Sequence, residues 1–299
     1  MSANDLATLV LLGGFFLLMA LRVPITFSMF LAACGSCLIV GKPISEMCRM
    51  MLSGVNNFTM LAIPFFIVMG EIMSAGSISD KIVDVANLLV GRFRGGLAYV
   101  NCLDSMFFGG ISGSMMEKQG YDRDFSVGLT VTTSCQGVLI PPSHNMVIFA
   151  LAYGGGVSIG SLFYAGFLPG ICLGVGFMLY CFLIGKKANF PKGEKMFANA
   201  KIRWIGKDAN GKLVCGPCMK TVIDAILPLF TLVIILVGTG CGVFTATESS
   251  AVACFYTMFL TYVVFRTAKF KDFGKVLKNS LKTLAIVLTL IATAKAFAY

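Results

Sequence analysis

Residues 126–153 read SVGLTVTTSCQGVLIPPSHNMVIFALAY, an apolar run that Pro141 and Pro142 interrupt near its middle. The run exceeds the length of about 20 residues that a helix needs to cross a bilayer. Proline has no backbone N–H and collides with the preceding helical turn, so two in succession predict a broken helix. Backbone groups freed at membrane depth must be satisfied by protein or by a water-filled cavity. The stretch therefore predicts a discontinuous membrane helix, and the break is a candidate binding site.

The composition of the whole chain is that of a membrane protein. Of its 299 residues, 57% are hydrophobic and 13% are charged, and the mean hydropathy is +0.85, whereas about a quarter of a soluble domain is charged. This excludes a soluble enzyme, and the net charge of +10 does not indicate nucleic acid as a partner. Apolar segments recur at 6–21, 24–41, 57–74, 96–110, 126–153, 158–185, 221–241, 247–265 and 280–297.

The basic residues concentrate in two polar stretches, 186–220 and 266–282. Two apolar segments separate these stretches, so both lie on one side of the membrane if each segment spans it. Lysine and arginine are enriched in cytoplasmic loops. We therefore predict that 186–220 is a basic cytoplasmic linker.

A second break is predicted at residues 107–114, which read FFGGISGS. A broken helix presents free carbonyls from one half and free amides with a positive dipole end from the other, so it can bind a cation and a carboxylate together. Small residues such as Ser112 and Ser114 also allow close helix packing, which is the alternative reading of this stretch alone. Packing accounts poorly for Pro141, Pro142 and Ser143, which follow a polar run containing Thr133 and Ser134.

Motifs in a fixed order along the chain resemble the large membrane subunit of TRAP transporters, the secondary transporters of bacteria that depend on a substrate-binding protein. The segments that show the resemblance are RVPI (22–25), LAIPFF (61–66), MGEIM (69–73), GGLA (95–98), FGGISGS (108–114), GYDR (120–123), IPPS (140–143), LFYAG (162–166) with PG (169–170), and GVFTATE (242–248).

The resemblance implies an all-α integral membrane protein of the elevator type, built from two inverted repeats with re-entrant hairpins and broken helices. It assigns 1–185 to the first repeat, 186–220 to the linker and 221–299 to the start of the second repeat. It implies a multi-pass protein of the bacterial inner membrane, not an enzyme, that works with a small membrane subunit and a periplasmic substrate-binding protein. The substrate would be a small organic anion such as a C4-dicarboxylate, sialic acid or a keto acid.

The same resemblance implies Na⁺ as the coupling ion and no other cofactor or metal. Ser112, Gly113 and Ser114 would form the hairpin tip, and Pro141, Pro142 and Ser143 the helix break. Thr133 and Ser134 are added from the polar run that precedes the break. Oxygen ligands suit a hard cation. His144 and Asn145, directly after the break, and Glu71, an acid within an apolar segment, are further candidates.

Two departures from the family pattern are expected to matter. Met115, Met116, Glu117 and Lys118 follow the hairpin tip, where the family has an apolar return limb, so we expect a shallower hairpin or a damaged first site. The family also continues beyond residue 299 with a second hairpin and a second Pro-Pro break. These gaps favour a chain truncated in its second repeat, and a nonfunctional fragment is one alternative. Asp104 and Lys295 are then candidates for orphaned charges.

The residues Cys215-Gly216-Pro217-Cys218 support another alternative, a membrane thiol-disulfide protein. Such a dithiol needs a strand leading into it and a helix that begins at the first cysteine. The sequence before it predicts a polar linker instead, so the transporter hypothesis is preferred. The segments 44–52, 78–90 and 270–281 mix apolar and charged residues at helical spacing and are predicted to lie along the membrane surface.

Overall fold

The computed structural model describes residues 3–76, 78–90, 95–108, 116–117, 120–141, 143–153, 157–187, 190, 205–207, 213–215 and 217–299. These residues are mainly helical. The helices are α1 (Ala3–Ala20), α2 (Ile25–Val40), α3 (Ile44–Val55), α4 (Ala62–Ala75), α5 (Ile78–Val90), α6 (Gly96–Phe108), α7 (Arg123–Ser134), α8 (Gln136–Leu139), α9 (His144–Ala152), α10 (Ile159–Lys187), α11 (Pro217–Gly240), α12 (Ala246–Phe259) and α13 (Phe273–Phe297).

Five helical stretches in the described part of the chain are long and apolar enough to cross a membrane. They are Ala3–Ala20, Phe58–Ala75, Ile159–Gly185, Val222–Gly240 and Phe270–Phe297. Phe58–Ala75 combines a 3₁₀ turn, Phe58–Leu61, with α4. Large apolar side chains such as Phe16, Leu17 and Leu168 are exposed on these helices, as expected where lipid rather than protein covers them.

The chain forms two compact units, of which the first comprises Met1–Pro64 and Leu277–Tyr299. In this unit α1 packs along α2, and Ala33, Cys37, Met47 and Ala296 form a buried apolar cluster. The end of α13 is therefore part of the core that α2 and α3 form. Lys295, a predicted orphan, is exposed, and its aliphatic stem packs against Gly54.

The second unit, Phe65–Val276, contains α5 to α12. Its apolar core lies where α6, α7 and α10 meet, with Cys102, Leu129 and Cys181 among its buried members. The amphipathic helix α5 packs on α11, where Lys81 Nζ lies 3.2 Å from Asp224 Oδ2 and 4.4 Å from the centre of the Phe265 ring. These contacts fix α5 through both its apolar face and a charged residue.

The linker differs from the polar, irregular segment predicted for 186–220. Within it, strands β1 (Ile205–Lys207) and β2 (Leu213–Cys215) pair antiparallel, with Gly206 opposite Val214. These strands are a departure from an all-α chain. Helix α11 begins at Pro217, inside the predicted linker, because proline is well suited to the first helical position.

Candidate functional site

The predicted break in the helix around Pro141 is present. Helix α7 continues through Cys135, which is helical in conformation, into the single turn α8. The backbone is extended at Ile140, with φ −92° and ψ 127°, and again at Ser143, with φ −119° and ψ 115°. Helix α9 then begins at His144. The residues of the break that the structure describes, Ile140, Pro141 and Ser143, are buried.

The break frees backbone oxygens on one side. Ile140 N donates to Gln136 O at 3.0 Å, the last bond of the first half-helix. Pro141 and Pro142 have no N–H, so the carbonyls of Gly137 and Val138 receive no bond from the residue four positions ahead. Carbonyl oxygens of this kind are ligands for hard cations.

The other side of the break presents amides. Ser143 precedes α9 but makes no side-chain capping bond, and the first amides of a helix have no acceptor within the helix. The positive end of the helix dipole lies at the same place and favours an anion there. The two half-helices α8 and α9 thus offer a cation and a carboxylate complementary ends of one site.

Two glycines of α10 hold the break in place. A Cβ atom added to Gly166 would lie 2.5 Å from Leu139 O and would collide with the Met146 side chain. A Cβ atom added to Gly170 would collide with the Ile140 side chain. Only glycine lets α10 approach so closely, since it has no side chain. The conformation of the break therefore depends on the absence of atoms at these two positions.

A buried polar contact joins α6 to α7 in the same unit. Asn101 Nδ2 donates to Thr130 Oγ1 at 2.9 Å, and the hydroxyls of Ser105 and Thr133 are 2.9 Å apart. Asn101, Ser105 and Thr133 are fully buried. Polar side chains that bond across helices are common in membrane proteins, where water is not available to satisfy them.

A groove of about 680 Å³ lies between α7 and α10. Its lining is mostly apolar, with Phe125, Leu129 and Phe177, and it includes the acidic Asp124. Its described lining residues include no lysine or arginine, so the groove offers no charged partner to an organic anion. We therefore place the candidate site at the break.

Comparison with known families gives the same assignment as the motifs. The model of the family described as "Tripartite ATP-independent periplasmic transporter, DctM component" matches residues 12–299. The chain belongs to this family. Together with the apolar helices, membership identifies a multi-pass protein of the bacterial inner membrane.

Curated relatives in the TRAP family support the assignment over most of the chain. The uncharacterized protein YgiK of Salmonella typhimurium is 34% identical over 95% of this chain and 65% of its own length. The 2,3-diketo-L-gulonate TRAP transporter large permease protein YiaN of Escherichia coli is 32% identical, over 98% and 68%. The sialic acid TRAP transporter large permease protein SiaM of Vibrio cholerae is 31% identical, over 93% and 64%. The chain spans about two thirds of the length of these relatives.

The structure of this TRAP permease chain places the predicted site residues differently. Pro141 and Ser143 lie at the break, whereas Ser112, Gly113, Ser114 and Pro142 lie outside the described residues, as does the limb of Met115 and Lys118. Thr133 lies seven residues before Ile140, about 10 Å along a helix axis. Ser134 Oγ donates to Val131 O of its own helix at 2.7 Å.

The further candidates also receive positions. His144 is half-buried and Asn145 exposed in the first turn of α9, directly beside the break. Glu71 is half-buried near the end of α4. No group of three or more His, Cys, Asp or Glu side chains with metal-binding geometry occurs within the part of the chain that the structure describes.

Sequence reasoning missed two parts of the site. Gly166 and Gly170 were quoted for their resemblance to the family, but nothing in the sequence places them against Leu139 and Ile140. Asn101 and Gln136 were overlooked, although Asn101, Asp104 and Ser105 recur at helical spacing within an apolar segment. That recurrence is the signal that could have found the α6 face, because polar residues at membrane depth are by default functional candidates.

Proposed function

We propose that this chain belongs to the large permease of a sodium-coupled, binding-protein-dependent secondary transporter that imports small organic anions. Cation and substrate would bind at the break between α8 and α9. The observation that supports this most is the buried break itself, where extended backbone at Ile140 and Ser143 separates two half-helices. Discontinuous helices of this kind form midplane sites in secondary transporters.

Sodium is the cation that the ligands favour. The oxygens at the break are backbone carbonyls and the Ser143 hydroxyl, and oxygen ligands favour hard cations over soft ones. Ser143 is 3% exposed, so a bound cation would be shielded from bulk water. An organic anion bound at the first amides of α9 would lie close to the cation and offset its charge. Binding of one would therefore favour binding of the other, which is the requirement for coupled transport.

The substrate class rests on the relatives. Their names specify 2,3-diketo-L-gulonate, sialic acid and C4-dicarboxylate, all organic acids. A carboxylate is the chemical group they share, and it suits the amide end of the break. We propose that a periplasmic binding protein delivers the substrate, that a small membrane subunit completes the complex, and that transport follows an elevator mechanism between two repeats.

Reconstitution of this chain with its small subunit and binding protein in proteoliposomes tests the proposal. An inward sodium gradient is expected to drive uptake of a labelled organic acid, and an equal potassium gradient is not. Collapsing the sodium gradient with an ionophore is the matched control. Uptake that is equal in sodium and potassium would contradict the coupling, and no uptake by a well-folded complex would favour the nonfunctional fragment.

One observation favours a second candidate, the thiol-disulfide protein. Cys215 is the last residue of β2 and α11 begins at Pro217, so a strand leads into the Cys-Gly-Pro-Cys sequence and a helix follows it at once. A dithiol there would exchange with a disulfide of another protein, forming one disulfide as the other is reduced. Replacing both cysteines by serine separates the hypotheses. Unchanged uptake contradicts a role for the dithiol in transport, and an unchanged thiol-disulfide exchange rate contradicts the redox activity itself.

A further inference from the structure

One face of α6 is polar although the helix is buried. Asn101, Asp104 and Ser105 are each fully buried. At 3.6 residues per turn, positions 101, 104 and 105 lie on one side of a helix. The bonds from Asn101 and Ser105 show that this side is turned toward α7. An aspartate on such a face is costly to bury and calls for compensation by a positive charge or a proton.

The opposing face is polar as well. Thr130, Thr133 and Gln136 follow one another at intervals of three residues along α7 and α8, and α6 packs on both helices. Thr130 and Thr133 bond Asn101 and Ser105. Gln136 is fully buried, and neither Oε1 nor Nε2 has a hydrogen-bond partner among the residues that the structure describes.

Helix association alone does not explain these residues. The Asn101–Thr130 and Ser105–Thr133 bonds already join the helices. Asn101 Oδ1 and both polar atoms of Gln136 are left over, buried and without a partner in the described structure. Each buried unsatisfied polar group costs about 1–3 kcal/mol, and native structures keep few of them. Unpartnered oxygens next to a buried carboxylate are what a cation site requires.

We propose that Asp104, with oxygens of Asn101, Ser105, Thr130, Thr133 and Gln136, forms a binding site for a monovalent metal cation of the sodium class. One carboxylate balances one positive charge, whereas a divalent ion would keep an uncompensated charge in a buried place. The remaining donors are neutral amide and hydroxyl oxygens, which suit a hard cation rather than one that prefers nitrogen or sulfur. The site uses side chains and no backbone break.

This inference goes beyond the proposed function, because binding at Asp104 does not depend on coupled transport. Thr130 lies ten residues before Ile140 in the first half-helix, about 15 Å along its axis. The site and the break are therefore separate positions along one helix. Each can be lost without the other, so their failures are distinguishable.

Equilibrium binding of ²²Na⁺ to the purified chain in lipid nanodiscs tests the site. We expect Asp104→Asn to weaken this binding at least tenfold, because the substitution removes the charge and keeps the shape. Asp124→Asn, which removes an exposed acid from α7, is the matched control and should change nothing. Sodium affinity that is equal in the wild type and in Asp104→Asn overturns the proposal. A wild type that exchanges only a proton at Asp104, with no sodium bound there, overturns it too.

A second variant keeps the test decisive if Asp104→Asn is misfolded. Gln136→Met has a similar length, removes the unpartnered amide and spares the carboxylate. We expect it to weaken sodium binding several-fold without loss of the folded, monodisperse protein. Sodium binding by this variant as tight as that of the wild type overturns the proposal. Loss of sodium through Gly166→Ala at the break, with both of these variants unaffected, supports the proposed function and overturns this inference.

Discussion

The helix break and the α6 face provide two kinds of polar site in one compact unit. At the break, the polar groups belong to the backbone, and glycines Gly166 and Gly170 keep the space around them free of side chains. At the α6 face, regular helices carry polar side chains such as Asp104 and Gln136 toward one another. The break should therefore respond to added volume nearby, and the α6 face to changes of charge or hydrogen bonding. The two regions can be separated by mutations that differ in kind.

Gly166→Ala is expected to have the largest effect at the break. The added methyl group would lie 2.5 Å from Leu139 O, so backbone of the break must move. Overpacking of this kind costs about 1–3 kcal/mol, which corresponds to about a tenfold loss of affinity for each 1.4 kcal/mol that falls on binding. We expect initial rates of sodium-driven uptake to fall at least tenfold.

Two alanine variants of the same helix serve as controls for Gly166→Ala. A methyl group at Gly176 meets nothing within 4 Å, and one at Gly160 lies 2.9 Å from Thr239 O, far from the break in sequence. Gly176→Ala should leave uptake unchanged, and Gly160→Ala should lower the thermal stability more than the uptake rate. Equal loss of uptake in Gly160→Ala and Gly166→Ala would mean that general destabilisation, not the break, explains the result.

Gly170→Ala should have an intermediate effect. Its methyl group collides with the Ile140 side chain rather than with backbone, and a side chain can adopt another rotamer more cheaply than a backbone can move. We expect a two- to fivefold loss of uptake by the same assay, of the order of the about 0.5–1.5 kcal/mol that an off-rotamer side chain costs. A loss greater than that of Gly166→Ala would contradict the importance given to Leu139 O.

The Ser105–Thr133 contact should be worth little by itself. Interhelical hydrogen bonds in membrane proteins average about 0.6 kcal/mol and reach about 1.7 kcal/mol. A double-mutant cycle of Ser105→Ala and Thr133→Val, followed by thermal unfolding in nanodiscs, should give a coupling energy in that range. A coupling energy of zero would show that the two hydroxyls do not bond in the membrane.

Ser134→Ala is expected to have the smallest effect. The Ser134 hydroxyl donates to Val131 O of its own helix, and substitutions away from special features usually change stability by less than about 0.5 kcal/mol. Uptake and its dependence on sodium concentration should match the wild type. A loss of sodium affinity would restore Ser134 to the ion site that the sequence predicted.

The sequence predicted the break at Pro141 because two adjacent prolines remove successive helical hydrogen bonds. Single prolines were poorer guides: Pro169 and Pro228 lie inside the continuous helices α10 and α11. One lost bond can be tolerated where neighbouring helices and side chains compensate. The difference between these prolines depends on packing partners, which sequence alone does not place.

Long-range contacts explain the other gaps in the prediction. Leu139 and Gly166 are far apart in sequence, and only the fold shows that one carbonyl needs the other residue to be glycine. Asn101 and Gln136 were similarly unremarkable until α6 was seen to pack on α7 and α8. The strand before Cys215 was missed because a three-residue strand is too short for an alternating pattern to be recognised.

The sodium-binding isotherm of the purified chain tests the central claim, that the break around Pro141 and Ser143 binds the coupling cation. The isotherm is measured by ²²Na⁺ binding for the wild type, Gly166→Ala, Gly176→Ala and Gly160→Ala, each checked for monodispersity. The account predicts at least tenfold weaker sodium binding in Gly166→Ala than in the wild type at one set of sites, with both controls close to the wild type. Identical isotherms for Gly166→Ala and the wild type would contradict it.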